Sequence, residues 1–276
     1  MPSARPGGSG LRIANVLSRE FTGRSETSLD PDLRVFVTDL TRPYGIPLRE
    51  DLLRQGVGHS YGEMAEGLLR EALAPDEPVD LLVLAFSAPD VRPGRSTAVH
   101  LSSFCPGSPL AFAICDQGAA AAFTALRVAA DSVRGGGCGR AVVLVLEQSA
   151  LHYHPAEPEP LPDRHCAVVL VCEQERETGV TVSQVSGIPG ESGDGMLRTR
   201  VAGLDRRTAL VIGPQFGPTP PEAVRARAGQ PMTGVWAELA ARLPGWRAER
   251  RPVLVADLDR RLGRMSTLLI PALAAL

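Results

Sequence analysis

Four segments decide the fold: VDLLVLAF (79–86), LAFAIC (110–115), AAAAFTALRVAADSVRGGG (119–137) and RAVVLVLEQ (140–148). The third has the pattern of a helix, and the other three are apolar runs. The first and last of these are continuously apolar and of strand length, which is typical of strands buried on both faces of a sheet. Between them, Phe123, Leu126 and Val133 fall on one face of a helix that the following glycines end. The alternation predicts an α/β fold with a buried sheet.

The same order of elements returns later in the chain. HCAVVLVCE (165–173) is a further buried strand, so strand, helix, strand, strand occurs around 110–173. The order recurs around 209–270, where TALVIG, RPVLVADLD and RMSTLLI read as strands and GVWAELAARL as a helix. This pattern predicts an internal duplication.

Composition excludes several kinds of chemistry. The chain has 276 residues with 29 basic and 31 acidic ones, and every basic residue is Arg. Without Lys, a Schiff-base lysine, a phosphate-loop lysine and an internal Ser-Lys dyad are excluded. The near-neutral charge gives no reason to expect nucleic acid as a partner. Five cysteines without metal-ligand spacing predict no metal and a cytoplasmic location, and strand-length apolar runs predict no membrane segment.

The run from 79–86 through the Ala-rich helix to 140–148 and 165–173 resembles the first half of thiolase-fold condensing enzymes, particularly the ketoacyl synthase III group. RPVLVADLDRRLGRMSTLLI (251–270) resembles the strand-turn-strand that ends their second half. The resemblance implies a duplicated α/β/α/β/α layered fold, with an N-terminal half at 1–175 and a C-terminal half at 176–276. Because only about a hundred residues follow residue 175, we expect the second half to be shortened.

Such enzymes carry a cysteine nucleophile at the start of the buried helix, where the helix dipole favours the thiolate. Matched on Ala125 and Leu126, that position falls on Ala119. The family's His and Asn positions fall in VIGPQFG (211–217) and GQPMTG (229–234), which contain neither residue. The resemblance therefore implies that no residue fills any of the three catalytic roles.

Cysteine-less members of this fold are the non-catalytic halves of heterodimeric condensing enzymes, such as the small subunit of the quinolone-signal synthase and polyketide chain-length factors. The resemblance implies a heterodimer with a catalytic ketosynthase-like subunit, or a homodimer, and an acyl carrier protein as a further partner. No cofactor is expected, and the substrate would be an acyl-CoA or phosphopantetheine thioester. Five residues are predicted to line the vestigial substrate pocket: Cys105, Asp116, Gln117, Gly118 and Phe216.

An alternative is an active acyltransferase. GHSYGE (58–63) resembles the serine elbow of malonyl-type acyltransferases, which makes Ser60 a candidate nucleophile. Cys115, four residues before Ala119, is a second candidate, with His100 or His152 as the base. Against this, Ser60 stands where a helix cap is expected, and Cys115 ends an apolar strand where buried inert thiols are common. The sequence leaves both readings open.

Overall fold

Two five-stranded mixed sheets form the framework. The computed structural model describes residues 10–155, 161–176, 179–189 and 192–272. The first sheet consists of β1 (Gly10–Phe21), β2 (Leu81–Ala85), β3 (Leu110–Ile114), β4 (Arg140–Glu147) and β5 (His165–Glu175). The second consists of β6 (Thr181–Ser186), β7 (Ala209–Ile212), β8 (Val224–Arg225), β9 (Val253–Asp259) and β10 (Arg264–Ile270).

The two sheets share one connectivity. Read from one edge, their orders are β3-β2-β4-β5-β1 and β8-β7-β9-β10-β6. In each sheet, the first three strands in this order are parallel. The fourth strand pairs antiparallel with the third, and the fifth pairs antiparallel with the fourth. The internal duplication that the sequence predicts is therefore confirmed, strand for strand.

Helices separate and cover the sheets. They are α1 (Glu26–Leu29), α2 (Pro31–Thr41), α3 (Glu50–Gln55), α4 (Tyr61–Ala72), α5 (Thr97–Ser102), α6 (Ala120–Arg134), α7 (Ser192–Ala202) and α8 (Gly234–Ala248). Helices α6 and α8 lie between the sheets, where the rings of Phe123 and Trp236 are 4.8 Å apart. Helices α4 and α5 cover the outer face of the first sheet and α7 that of the second. The expected α/β/α/β/α layering is confirmed.

The continuous apolar runs are explained by this layering. Successive side chains of a strand point to opposite faces, so Val83 packs against the central helices and Leu84 against α4 and α5. Both side chains are fully buried. Burying each such side chain is worth roughly 1.5–3 kcal/mol, so a polar residue on either face of β2 would lower stability.

The second half is shorter because it has fewer helices. A helix, α5, stands between β2 and β3, whereas residues 213–223 connect β7 to β8 without one and are described throughout. In the described part of the chain, no helix is long and apolar enough to cross a membrane.

Two segments that composition predicts to be loops contain helices. The polar, Pro-punctuated residues 20–47 predict loops around one apolar run, but that run is α2, and residues 87–109, which also predict a loop, contain α5. Asp30 and Pro31 look like loop punctuation but act as helix-start signals: the Asp30 carboxylate accepts from the Asp32 N–H at 3.0 Å and Pro31 occupies the first turn.

One carboxylate joins the two halves. Glu147, at the end of β4, is buried and accepts hydrogen bonds from the start of α8: from the N–H groups of Met232 (2.7 Å) and Thr233 (2.9 Å) and from the Thr233 hydroxyl (2.5 Å). The Gln230 amide donates a fourth, at 3.0 Å. Since the N-terminus of a helix has unpaired N–H groups and a positive dipole end, Glu147 acts as the cap that α8 lacks in its own sequence.

Replacing this carboxylate should destabilise the whole chain. Glu147→Ala leaves several buried donors unpaired, so we expect the free energy of unfolding to fall by about 3 kcal/mol or more. The control is Glu71→Ala, which breaks a surface pair with Arg19 and should cost less than about 1 kcal/mol. Urea denaturation measures both, and equal losses would show that Glu147 does not join the halves.

Candidate functional site

A cavity of about 160 Å³ lies where the two halves meet. Its walls come from the carboxyl ends of parallel strands, from the start of α6 and from the loop before α8, the place where α/β proteins usually bind ligands. The polar and backbone groups at this cavity belong to Tyr61, Ser87, Gly118, Glu147, Gln148, Gln215, Asp259 and Arg261, and its apolar wall to Ala88, Ala119, Leu146, Leu161, Pro162, Pro231 and Met232.

Ala119 stands at the start of α6, in the N-cap position, and lines this cavity. The positive end of the helix dipole would stabilise a thiolate or an oxyanion here, but a methyl group has no such chemistry. Among the lining residues, all within the described ranges, none is Cys, His or Asn. Ser87 contributes an exposed hydroxyl, but no histidine lines the cavity to take its proton. The cavity can therefore bind a ligand but holds no activated nucleophile.

Carboxyl groups crowd this region instead. Asp257 and Asp259 end β9, and both are buried. Two glycines make room for them: a Cβ at Gly213 would lie 1.9 Å from Asp257 Oδ1, and one at Gly118 would lie 1.9 Å from Asp259 Oδ2. The Asp259 carboxylate thus lies against the start of α6.

Burial sets the protonation of these groups. It raises the pKa of Asp257 well above its ordinary value, opposed by the Leu258 N–H that donates to it and reinforced by the charges of Asp259 and Glu147. It also raises the pKa of Glu147, although hydrogen bonds from Thr233 and other donors work against this. Tyr61 has a raised pKa for the same reason, and its hydroxyl donates to the Ala88 carbonyl at 2.8 Å.

Gln148 is the side chain at this cavity with an unpaired polar atom. It follows β4 and is fully buried. Its Nε2 donates to the Pro89 carbonyl, whereas its Oε1 is buried and has no partner in the described structure. Buried amide oxygens are rarely left unpaired, so this one calls for an explanation.

Of the five residues predicted to line the pocket, the structure places one at the cavity and four elsewhere. Gly118 lines the cavity. Gln117 turns instead to Thr124, whose hydroxyl donates to its Oε1 at 2.7 Å, and Asp116 is an exposed residue in the left-handed conformation. Cys105 lies in the core under α4, and Phe216 lies in the core between α7 and the second sheet.

Ser60 has the geometry of a helix cap. Its hydroxyl accepts from the Glu63 N–H at 3.1 Å, and the Glu63 carboxylate accepts from the Ser60 N–H, which is the reciprocal pattern of a capping box. The Thr27 hydroxyl is 3.2 Å away. Within the described residues, no histidine hydrogen-bonds Ser60, and Ser60 does not line the cavity.

The other candidates for acyl transfer are apart from one another. Cys115 is exposed and does not line the cavity, and burial together with Asp116 raises the pKa of its thiol, which disfavours the thiolate. His100 pairs with Glu66, with Nε2 2.7 Å from the carboxylate oxygen.

His152 contacts a hydroxyl but cannot act as its base there. Its Nε2 is 2.9 Å from the Val57 carbonyl oxygen, so this nitrogen carries the proton, and it is 3.0 Å from the Ser28 oxygen. The Ser28 hydroxyl in turn donates to the Gly58 carbonyl. Burial lowers the pKa of His152. These four residues form a structural network that ties the loop after β4 to the segment before α4.

Sequence reasoning missed Glu147, Gln148, Asp257 and Asp259. A signal existed: each is a polar residue that ends, or directly follows, a run of apolar strand residues, and the carboxyl ends of parallel strands meet at one edge.

Comparison with solved structures places the fold among condensing enzymes. The chain superimposes on AbyA1, a tetronic acid condensing enzyme (TM-score 0.63, 16% identity, 94% of this chain and 99% of that one). It is similar to OleA from Xanthomonas campestris (0.62, 14%, 97% and 100%) and to a 3-oxoacyl-(acyl-carrier protein) synthase from Burkholderia xenovorans LB400 (0.64, 15%, 96% and 96%). No protein-family model and no curated protein matches the sequence. At these identities the likeness establishes the thiolase-type fold alone.

Asp257 should make stability depend on pH. Because its folded-state pKa is raised, its contribution to stability is full below its ordinary value of 3.8 and is lost as the pH rises. Asn at this position keeps an acceptor for the Leu258 N–H and cannot ionise. We therefore expect Asp257→Asn to have a higher Tm than the parent at pH 8 and a similar Tm near pH 4. Asp131→Asn, on the exposed side of α6, controls for the loss of one negative charge, and parallel pH profiles would contradict the prediction.

A thiol at position 119 should react from the cavity. Cys115→Ser first removes the exposed native thiol, which leaves four buried cysteines. Adding Ala119→Cys should then allow one alkylation by iodoacetamide under native conditions, detected by intact mass, whereas Cys115→Ser alone takes none. Absence of the added adduct would mean that position 119 is not open to the cavity.

Proposed function

We propose that this chain is the non-catalytic, or chain-length-determining, subunit of a condensing enzyme in polyketide, fatty-acid-like or other secondary-metabolite biosynthesis. It would pair with a catalytic ketosynthase-like subunit that carries the nucleophile. One observation carries the proposal: where this fold would need its nucleophile, at the start of α6, the chain has Ala119 facing a formed cavity without Cys, His or Asn.

The acidic surroundings support the same role. A condensing reaction passes through negatively charged species, which a neighbouring carboxylate would destabilise. Here Asp259 lies against Gly118, and Glu147 lines the same cavity. We infer that acyl-CoA or phosphopantetheine thioesters, and the acyl carrier protein that presents them, react on the partner subunit.

The edge of the first sheet supports pairing. β3 is an edge strand of sequence LAFAI, and Leu110 is 68% exposed. The Leu110 N–H donates to the Asp80 carbonyl and the Ile114 carbonyl accepts from Phe86, so the alternate N–H groups, of Ala111 and Ala113, face away from β2. An apolar, uncharged edge strand readily adds another strand. We infer that a second subunit extends the sheet here, either the catalytic subunit or another copy of this chain.

The free thiols support a cytoplasmic assembly. All five cysteines are unpaired in the structure, which suits a reducing compartment. The alternative, an acyltransferase using Ser60 or Cys115, gains no support from the geometry, because neither residue lines the cavity or contacts a histidine in the described structure.

Co-expression tests the proposal. The chain is produced together with ketosynthase III-type enzymes encoded in the same genome, and the complexes are separated by size-exclusion chromatography with light scattering. We expect a stable heterodimer whose product differs in amount or chain length from that of the catalytic subunit alone. A stable monomer, or an acyl adduct on this chain that is lost in Ser60→Ala or Cys115→Ala, would overturn the proposal.

Disrupting β3 should break the assembly without unfolding the chain. Ala113→Pro removes an outward N–H that makes no bond inside the first sheet, so the strand stays compatible with its own neighbour. Ala113→Val keeps the N–H and is the matched control. We expect dimer dissociation to rise by at least about tenfold in the proline variant, since one edge hydrogen bond is lost and the proline ring crowds the incoming strand. Unchanged assembly in Ala113→Pro would place the interface elsewhere.

A further inference from the structure

We propose that the cavity at the start of α6 is a binding site for a small apolar group that carries an N–H or O–H donor and no negative charge, and that Gln148 Oε1 is the acceptor that recognises it. This inference rests on the proposed function in one respect: a cavity without a nucleophile binds its ligand and leaves it unchanged.

The Oε1 atom of Gln148 is a buried acceptor left for a ligand. Gln148 is fully buried, and its amide orientation is fixed because Nε2 donates to the Pro89 carbonyl. That leaves Oε1 as a buried acceptor with no partner among the described residues. Other buried unpaired atoms, such as His59 Nδ1 and Trp236 Nε1, belong to residues that do not line this cavity. A ligand donor would satisfy Gln148 where the protein does not.

The charged groups in the cavity wall disfavour an anionic ligand. The carboxylates of Glu147 and Asp259 line the cavity, and Arg261 lines it with an exposed side chain. Glu147 is already saturated by four donors and Asp259 accepts from the Leu262 N–H at 2.9 Å. The two carboxylates outnumber the one guanidinium, whose exposed side chain is screened by solvent, and the helix terminus carries only a partial charge. The wall therefore disfavours an anionic ligand more than a neutral or cationic donor.

The size and the lining of the cavity fit a small apolar ligand. A volume of about 160 Å³ matches a single aromatic ring or a short aliphatic chain, since a dry protein cavity of about 150 Å³ takes up benzene. The apolar part of the wall consists of alanine, leucine, proline and methionine side chains, among them Ala119, Leu146 and Met232. An apolar body with one donor therefore fits both the shape and the chemistry.

Benzamide and benzoate form a matched pair of probes, because they share a ring and differ in donor and charge. Ligand-observed NMR with the full-length chain measures binding of each, and we expect benzamide to bind at least about tenfold more tightly than benzoate. Equal or tighter binding of benzoate, or no binding of benzamide, would overturn the proposal.

Gln148→Met tests the assigned acceptor. It removes the orphan oxygen at similar volume, so we expect benzamide binding to weaken at least about tenfold, while loss of the hydrogen bond to the Pro89 carbonyl lowers Tm by a few degrees at most. A residue with a purely structural role would lower Tm and leave binding unchanged. Gln117→Met is the matched control, because Gln117 does not line the cavity and its Oε1 is paired.

If Gln148→Met fails to fold, Ala119→Leu serves instead, since it fills the cavity and leaves Gln148 in the sequence; retained benzamide binding in that variant would place the ligand elsewhere. Failure here is separable from failure of the proposed function. Loss of selective binding leaves the heterodimer result intact, and a missing heterodimer leaves the benzamide result intact.

Discussion

The interaction on which this structure depends is the capping of α8 by Glu147. A carboxylate from the end of β4, in the first sheet, accepts from the backbone at the start of a helix that belongs to the second half. Neither half can satisfy these groups alone: α8 has no side-chain cap of its own, and a buried carboxylate without donors would be costly. The contact therefore fixes how the two duplicated halves face one another. It also fixes the cavity between them, because Glu147 is part of the cavity wall.

The meeting of the two halves brings carboxyl groups to the cavity, whose lining, within the described residues, contains no Cys, His or Asn. In the thiolase-type arrangement the strand ends of both halves converge on the start of α6. Here those positions hold Glu147, Asp259 and the buried Asp257, and glycines at 118 and 213 allow the two aspartates to approach the backbone. Such a site stabilises neutral, protonated or donor-bearing groups and opposes developing negative charge. The methyl group of Ala119 and the acidic groups near it have the same consequence, because neither supports a reaction that builds up negative charge.

The layered fold could be predicted from sequence because its signals are local and strong. Uninterrupted apolar runs mark strands buried on both faces, and Phe123, Leu126 and Val133 mark the inner helix. Helices α2 and α5 were missed because their signals compete: Asp30 and Pro31 break an extended chain but begin a helix, and α5 is short and flanked by polar residues. The place of Ala119 at the start of α6 could be predicted by counting along the helical pattern. The contents of the cavity could not, because Gln148 and Asp259 are distant in sequence and meet only through the packing of the two sheets. A sequence view chose Gln117 as the pocket amide, and only the structure shows that Thr124 occupies it.

An apolar core would serve stability better than this cavity does. Filling about 160 Å³ with side chains would add packing contacts, and the buried Gln148 Oε1, which has no partner in the described structure, offsets the stability that its Nε2 gains by donating to the Pro89 carbonyl. The chain instead combines an open volume, an oriented amide and carboxylates that are mostly satisfied from within the protein. Stability accounts for Glu147, which caps α8 and accepts four hydrogen bonds. It does not account for Gln148, the next residue, whose Oε1 has no partner in the described structure. The contrast between the fully paired Glu147 and the half-paired Gln148 is what separates the framework of the site from the part that is left for a ligand.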